Sequence, residues 1–351
     1  MNRCLKRPTA SGLLRNLDSA KAPAVFLLCM IVLGIASARL LDSSSLRLLT
    51  EMLIYLTLAQ LWNLLAGYAG LVSVGQQAFV GLGGYAFFYF ATALVVPPIP
   101  ALLLGGLVGF AAATVASKVI FRLKGAHFAI GTWVVAEICL LTVAVIPTLG
   151  GGSGMSLPAS IVRTLGAGRQ EREVLYFLMA FCLATITVAL IYVFMRSHNG
   201  LALMAARDSE RAAESLGIDA VRIRRMVYIA VGFATALVGG LIFLLKLRMT
   251  PDAAFSVLDW TAYVLFIVII GGSGRIEGPF VGTVVFFILR ALFADFGSIY
   301  LVILGVVAVV VMLFAPKGIW GLLSQWTDFE LFPVRRRARS QAFRPCPNST
   351  T

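Results

Sequence analysis

Residues 226–247 read MVYIAVGFATALVGGLIFLLKL, and the first twenty of them carry no charge. Arg222, Arg224 and Arg225 stand before the run, and Lys246 and Arg248 close it. About 20 apolar residues rising 1.5 Å each match the ~30 Å hydrocarbon core of a bilayer. The stretch therefore reads as a membrane-crossing helix with basic residues holding its ends at the headgroups.

Working outward, the same pattern recurs along the chain. Candidate spans fall at 22–40, 48–66, 70–92, 99–121, 127–147, 174–195, 226–247, 256–271, 279–294 and 299–314. The expected fold class is all-α: a polytopic transmembrane helical bundle of about ten spans. The third span is rich in glycine and polar groups, and the eighth and ninth are short, so these three are expected to be broken or re-entrant. Residues 1–21 form a basic N-terminal segment and 22–320 the membrane domain, which includes a cytoplasmic loop at 196–225. Residues 321–351 form a basic tail expected to be disordered or to lie against anionic headgroups.

Composition agrees with this division. Hydrophobic residues make up 60% of the 351 and charged residues 13%, well away from soluble averages of roughly half and about a quarter. The net charge of +13 would suggest nucleic acid in a soluble chain. Here the basic residues cluster in the gaps between apolar runs, as membrane flanks do. With both termini placed in the cytoplasm, 21 of the 29 Lys and Arg face inward and eight outward, in line with the positive-inside rule. The five cysteines are scattered without a C-x-x-C pair, and His127 and His198 are the only histidines, so no metal site is expected. The apolar run after Lys21 reads as a retained first span rather than a cleaved signal.

Three segments depart from what lipid-facing helices need. The first is GYAGLVSVGQQAF, Gly67–Phe79. Glutamine is expensive in hydrocarbon unless its amide finds partners, so Gln76 and Gln77 must face protein or a wet pathway. Ser73, Gln76, Gln77 and Phe79 are the candidate pathway residues; a packing seam with polar glue is the alternative. The second is IGGSGRIEGP, Ile270–Pro279, where Gly271 and Gly272 join the pathway candidates as a paired interruption of the other half of the chain. A plain cytoplasmic hairpin would also account for it. The third is the loop 196–225. Asp208 is the expected N-cap of a short helix over 209–216, Glu210 suits its dipole, Gly217 its C′ position, and Asp219 the next N-cap. Such a short helix is marginal alone and needs something to dock against. Glu137 is the one acid well inside a span, and is a functional or a helix-bonding candidate.

At these segments the chain resembles the membrane subunits of branched-chain amino-acid ABC importers, of the LivM type. The resemblance rests on six motifs in order: GYAGLVSVGQQAFVGLGGY (67–85), HFAIGTWVVAEI (127–138), GGGSGM (150–155), ARDSERAAESLGID (206–219), IIGGSGRIEGPFVG (269–282) and LFAPKGIWG (313–321). Gln76 stands where some relatives carry histidine, and the basic C-terminal extension lies outside the resemblance. It implies a type II importer-like permease paired with a sister permease, two cytoplasmic ATPase subunits and an extracytoplasmic solute-binding protein. Arg207, Asp208, Glu210, Ala212, Ala213, Glu214 and Gly217 would then form the coupling helix that contacts an ATPase. It further implies that this chain binds no cofactor, the partner ATPases using ATP and Mg. Independently, none of the six lysines follows a glycine, so no G-x-x-x-x-G-K-[ST] phosphate loop is present.

The expected function is a permease subunit translocating branched-chain or related amino acids, or small amides, across the cytoplasmic membrane. An ion- or proton-coupled carrier acting alone is the main alternative, with Glu137 as its one clear relay candidate. A membrane scaffold is a second. An enzyme is least expected, since no nucleophile–base set appears.

Overall fold

The structure is a computed structural model that describes residues 41–315 except 167 and 294–298, together with 318–327 and the single positions 34, 37 and 332. Its principal helices are α1 (Ser43–Asn63), α2 (Gln76–Thr92), α3 (Pro98–Ile120), α4 (Ala126–Val145), α5 (Arg169–Arg196), α6 (His198–Asp208), α7 (Glu210–Ser215), α8 (Ala220–Lys246), α9 (Tyr263–Gly271), α10 (Glu277–Phe293), α11 (Ile299–Phe314) and α12 (Gly318–Thr327). A π turn, Leu64–Tyr68, prolongs α1, and another, Leu258–Ala262, leads into α9. Two-residue strands, β1 (Met155–Ser156) and β2 (Arg248–Met249), pair antiparallel and tie the Gly150–Met155 loop to the end of α8. The chain is thus an all-α, polytopic membrane protein.

Seven helical segments among the described residues are long and apolar enough to cross a membrane, not the ten expected. The difference has two sources. The first span, 22–40, and the segment 1–21 lie outside the described residues apart from Gly34 and Ser37. The third and ninth expected spans become α2 and α10, each of 17 residues. At 1.5 Å per residue, such a helix covers only about 25 Å. The third span does not begin at 70: residues 70–75 are non-helical, and the helix starts at Gln76. The eighth expected span is longer than its apolar run, since helical turns extend from Pro251 to Gly271.

Helices α1 and α8 are the enclosed ones, whereas α3 and α4 keep broad outward faces. Packing is tightest where α2 crosses α8. A Cβ on Gly83 would stand 2.0 Å from the Ala236 carbonyl oxygen, and one on Gly239 would stand 2.2 Å from that of Val80. The glycines let two backbones touch, the means by which membrane helices associate where lipid removes the hydrophobic drive. Around α1, Tyr55 packs on Trp260, Phe286 and Phe287 with ring centroids 5.6–6.2 Å apart, and so joins α1 to the π turn before α9 and to α10.

The expected tail boundary at 321 falls inside α12. Further on, Phe332 is buried: its N–H donates to Glu277 Oε1 at 2.7 Å, and its ring meets Tyr192 edge-on at 5.5 Å. The rest of the tail lies outside the described residues.

Candidate functional site

Where α1 ends, its π turn releases main-chain carbonyls that the helix itself does not use. Two arginines take them, Arg207 from α6 and Arg224 from the first turns of α8. Arg207 Nη1 donates to the Gly67 carbonyl at 2.7 Å, and Arg224 Nε donates to that of Ala69 at 3.1 Å. Arg224 also donates through Nη2 to the Ala206 carbonyl at 2.8 Å and through Nη1 to Glu210 Oε2 at 2.7 Å. Its guanidinium thereby fastens α6, α7 and the exit of α1 at one point. That hydrogen bond and the positive charges of Arg224 and Lys124 hold the Glu210 carboxyl below the usual carboxylate range.

The loop holds two short helices, α6 and α7, where one was expected. Each N-cap is a side chain. Ser197 accepts from Gly200 N at 3.3 Å, Ser209 from Ala212 N at 3.3 Å, and Asp219 from Arg222 N at 2.9 Å. Asp219 is as expected; Asp208 is not the N-cap of α7. It is the last residue of α6, where Arg207 grips its carboxylate through Nε (2.9 Å) and Nη2 (2.7 Å), and the extended backbone at Ser209 makes that residue the cap instead. Gly217 follows the C-cap with φ +79° and open space around it, so conformation alone asks for glycine there. Ala213 is buried against Ala206 and Ala220. Ala212, Glu214 and Leu216 point outward, and Leu216 is 77% exposed.

From Ala69 the chain runs non-helically to Gly75, held on both sides. Trp62 Nε1 donates to the Ser73 carbonyl at 2.8 Å, and Val74 N donates to Thr132 Oγ1 at 3.0 Å. A cavity of about 410 Å³ lies between Gly70–Val72, the Leu123–Ala126 turn, Glu210 and Arg224. Ser73 on the run and Gln76 and Gln77 in the first turn of α2 are all buried. Gln77 Oε1 accepts from Thr261 Oγ1 at 2.5 Å. Neither side-chain polar atom of Gln76 is hydrogen-bonded among the described residues, nor is Gln77 Nε2. Each such buried orphan costs roughly 1–3 kcal/mol until something bonds it.

The remaining candidates lie elsewhere. Phe79 sits edge-on to Tyr228 at 5.7 Å, in an aromatic cluster completed by Phe121 and Phe128; its place is in the core. Gly271 and Gly272 form the α9–α10 turn, with φ +116° at Gly272. That turn is hydrogen-bonded to α1: Gln60 Nε2 donates to the Ile276 carbonyl (2.7 Å), Asn63 Nδ2 donates to that of Arg275 (2.8 Å), and Asn63 Oδ1 accepts from Gly274 N (2.8 Å). It is a tight turn, and it lies beside Gly67. Glu137 accepts from Trp133 Nε1 at 3.1 Å on a half-exposed face of α4. Five residues beyond Thr132, it is rotated about 140° from the side that touches the Gly70–Gly75 run, and it does not join Gln76.

Sequence reasoning missed Arg224 as more than a headgroup anchor, and it missed Gln60, Asn63 and Thr261 altogether. The two amide side chains at i and i+3 in the largely apolar second half of α1 were a usable signal for the first pair.

Comparison with known proteins gives the context. The LivM high-affinity branched-chain amino-acid transport permease of Salmonella typhimurium strain LT2 is 26% identical over 317 residues, covering 84% of this chain and 74% of its own. The protein of the same name from Escherichia coli K12 is 26% identical over 325 residues with the same coverage. A probable LivM permease of Methanocaldococcus jannaschii is 24% identical over 196 residues, 55% of each chain. No solved structure matches. Residues 44–316 match the family described as the branched-chain amino acid transport system / permease component, and the chain belongs to that family.

Proposed function

We propose that the chain is the solute-translocating permease subunit of an ATP-driven importer, set in the cytoplasmic membrane with both termini inside. Its cargo in this reading is a branched-chain or related amino acid, or a small amide. Two separate ATPase subunits use ATP and Mg, and one of them docks on the outward face of α7, where Ala212, Glu214 and Leu216 are presented. A sister permease pairs with the chain, and an extracytoplasmic binding protein delivers the solute.

One observation carries the coupling half of this reading: Arg207 and Arg224 bond the carbonyls of Gly67, in the π turn, and of Ala69, where the non-helical run to Gln76 begins. A displacement of α6 and α7 is passed to that segment directly through Arg207 and indirectly through Arg224 of α8, which bonds Ala206 and Glu210, and the unbonded amide atoms of Gln76 and Gln77 offer bonds to a passing solute. The complete complex in liposomes tests it. Arg207→Ala and Arg224→Ala should lower uptake by about tenfold, the scale of one hydrogen bond to a charged group, while ATP hydrolysis continues. Unaltered uptake per ATP in both variants sinks the coupling assignment.

A further inference from the structure

At the end of the bundle opposite the loop helices lies a cavity of about 300 Å³ that the reading above does not use. Its position follows from helix rise. Glu51 precedes Gly67 on α1 by about 24 Å, and Lys246 follows Arg224 on α8 by about 33 Å. The wall from α1 presents Arg47 and Glu51 outermost and Ile54 and Tyr55 one to two turns deeper, all on one face. The wall from α8 repeats the gradient, with Lys246 outermost and Ile242 deeper.

The charges are of both signs and are not all spent on one another. Glu51 Oε1 pairs with Arg290 Nη1 at 2.6 Å. Lys246 Nζ stands 4.8 Å above the ring of Trp260. Lys246 and Asp259 share the cavity, yet among the described residues neither forms a salt bridge. Arg47, exposed at the rim, likewise forms no salt bridge among the described residues, so a simple anion would answer only the free cations Arg47 and Lys246, and a simple cation only the Asp259 carboxylate. A molecule carrying ammonium and carboxylate on neighbouring atoms answers both. Beneath the charges, Tyr55 and Trp260 are almost wholly buried and line an apolar floor suited to a hydrocarbon side chain.

We propose that this cavity is a receiving site for a free α-amino acid with an apolar side chain. Asp259 takes the ammonium, Lys246 the carboxylate, and Tyr55, Trp260 and Ile54 the side chain. The proposal deepens the transport reading and rests on it for the solute class, not for the coupling.

The test uses the full-length chain in lipid nanodiscs and radiolabelled L-leucine. Saturable binding should be displaced by unlabelled leucine, but not by 4-methylpentanoate, which lacks the ammonium, or by 3-methylbutylamine, which lacks the carboxylate. Asp259→Asn and Lys246→Gln should each weaken binding by about tenfold, the loss of roughly one charged contact; Asp259→Glu and Lys246→Arg should recover most of it. Absence of displaceable binding, equal competition by either half-ligand, or unchanged binding in the neutral variants overturns the site. Competition on the wild-type chain decides the matter even where a variant fails to fold. In the reconstituted complex, a raised KM for uptake in the neutral variants supports the site, and an unchanged KM removes it while leaving the transport reading intact. A complex that moves no amino acid although the chain binds leucine overturns the transport reading alone.

Discussion

Thr261 donates its hydroxyl proton to Gln77 Oε1 at 2.5 Å across 184 positions of sequence, and so ties the first turn of α2 to the π turn that leads into α9. It is the hydrogen bond that the adjoining Gln76 lacks. Thr261→Val keeps the shape of the side chain and removes the donor. It should destabilise the detergent-solubilised protein by about 1 kcal/mol, the scale of such bonds between membrane helices. Thermal unfolding followed by tryptophan fluorescence reads this, and Thr261→Ser should restore the wild-type midpoint.

The α2–α8 crossing predicts a sharp contrast among glycines. Gly83→Leu and Gly239→Leu each drive a side chain into a main-chain carbonyl about 2 Å from the new Cβ, and overpacking of this kind costs ~1–3 kcal/mol or more. Both should cut the yield of monodisperse protein severely. Gly305→Ala meets nothing within 4 Å and should leave the elution profile unchanged.

Adjacent alanines of α7 should behave as opposites. Ala212 faces outward and Ala213 is buried against Ala206 and Ala220. Ala212→Trp should leave the thermal midpoint of the isolated chain untouched and lower its affinity for the ATPase subunits in a pull-down titration. Ala213→Trp should lower the midpoint itself, because the three alanines leave no room for an indole.

Acidification should loosen the joint at Glu210. Its folded-state carboxyl titrates below the ordinary 4.5, chiefly through the hydrogen bond from Arg224. A depressed acid contributes stability that is present above the unfolded value and is lost as pH falls through the folded one. Between pH 8 and about 5 the contribution should be constant, and below about 4.5 it should fade. Partial exposure limits it to roughly 1 kcal/mol or less. Glu210→Gln should unfold earlier than the wild type at pH 7, with the gap narrowing at pH 4 and below.

The sequence revealed most where the physics is local. Apolar runs long enough for a bilayer, the cap at Asp219 and the left-handed backbone at Gly217 need only a few neighbours to be legible. At Asp208 and Ser209, two adjacent residues cap almost equally well, and the choice depended on where Arg207 reached. The span expected from residue 70 absorbed Gly70–Gly75 because hydropathy registers polarity and not backbone direction. The amides of Gln76 and Gln77 were recognised as needing partners, yet Thr261 as the partner of one is a tertiary fact without a periodicity.

The joint made by Arg207 and Arg224 also determines how such a site changes among relatives. Both arginines grip main-chain oxygen, which every amino acid carries. A new side chain at position 69 still leaves Arg224 its acceptor, so no compensating change is demanded of it. Position 67 is restricted instead by Gly274, whose nitrogen would lie 2.4 Å from any Cβ there. Pairs of positions that change together would therefore register the contact between Gly67 and Gly274 and pass over those that the two arginines make with the main chain. The contact of Arg207 and Arg224 with the main chain would leave its record in the arginines alone.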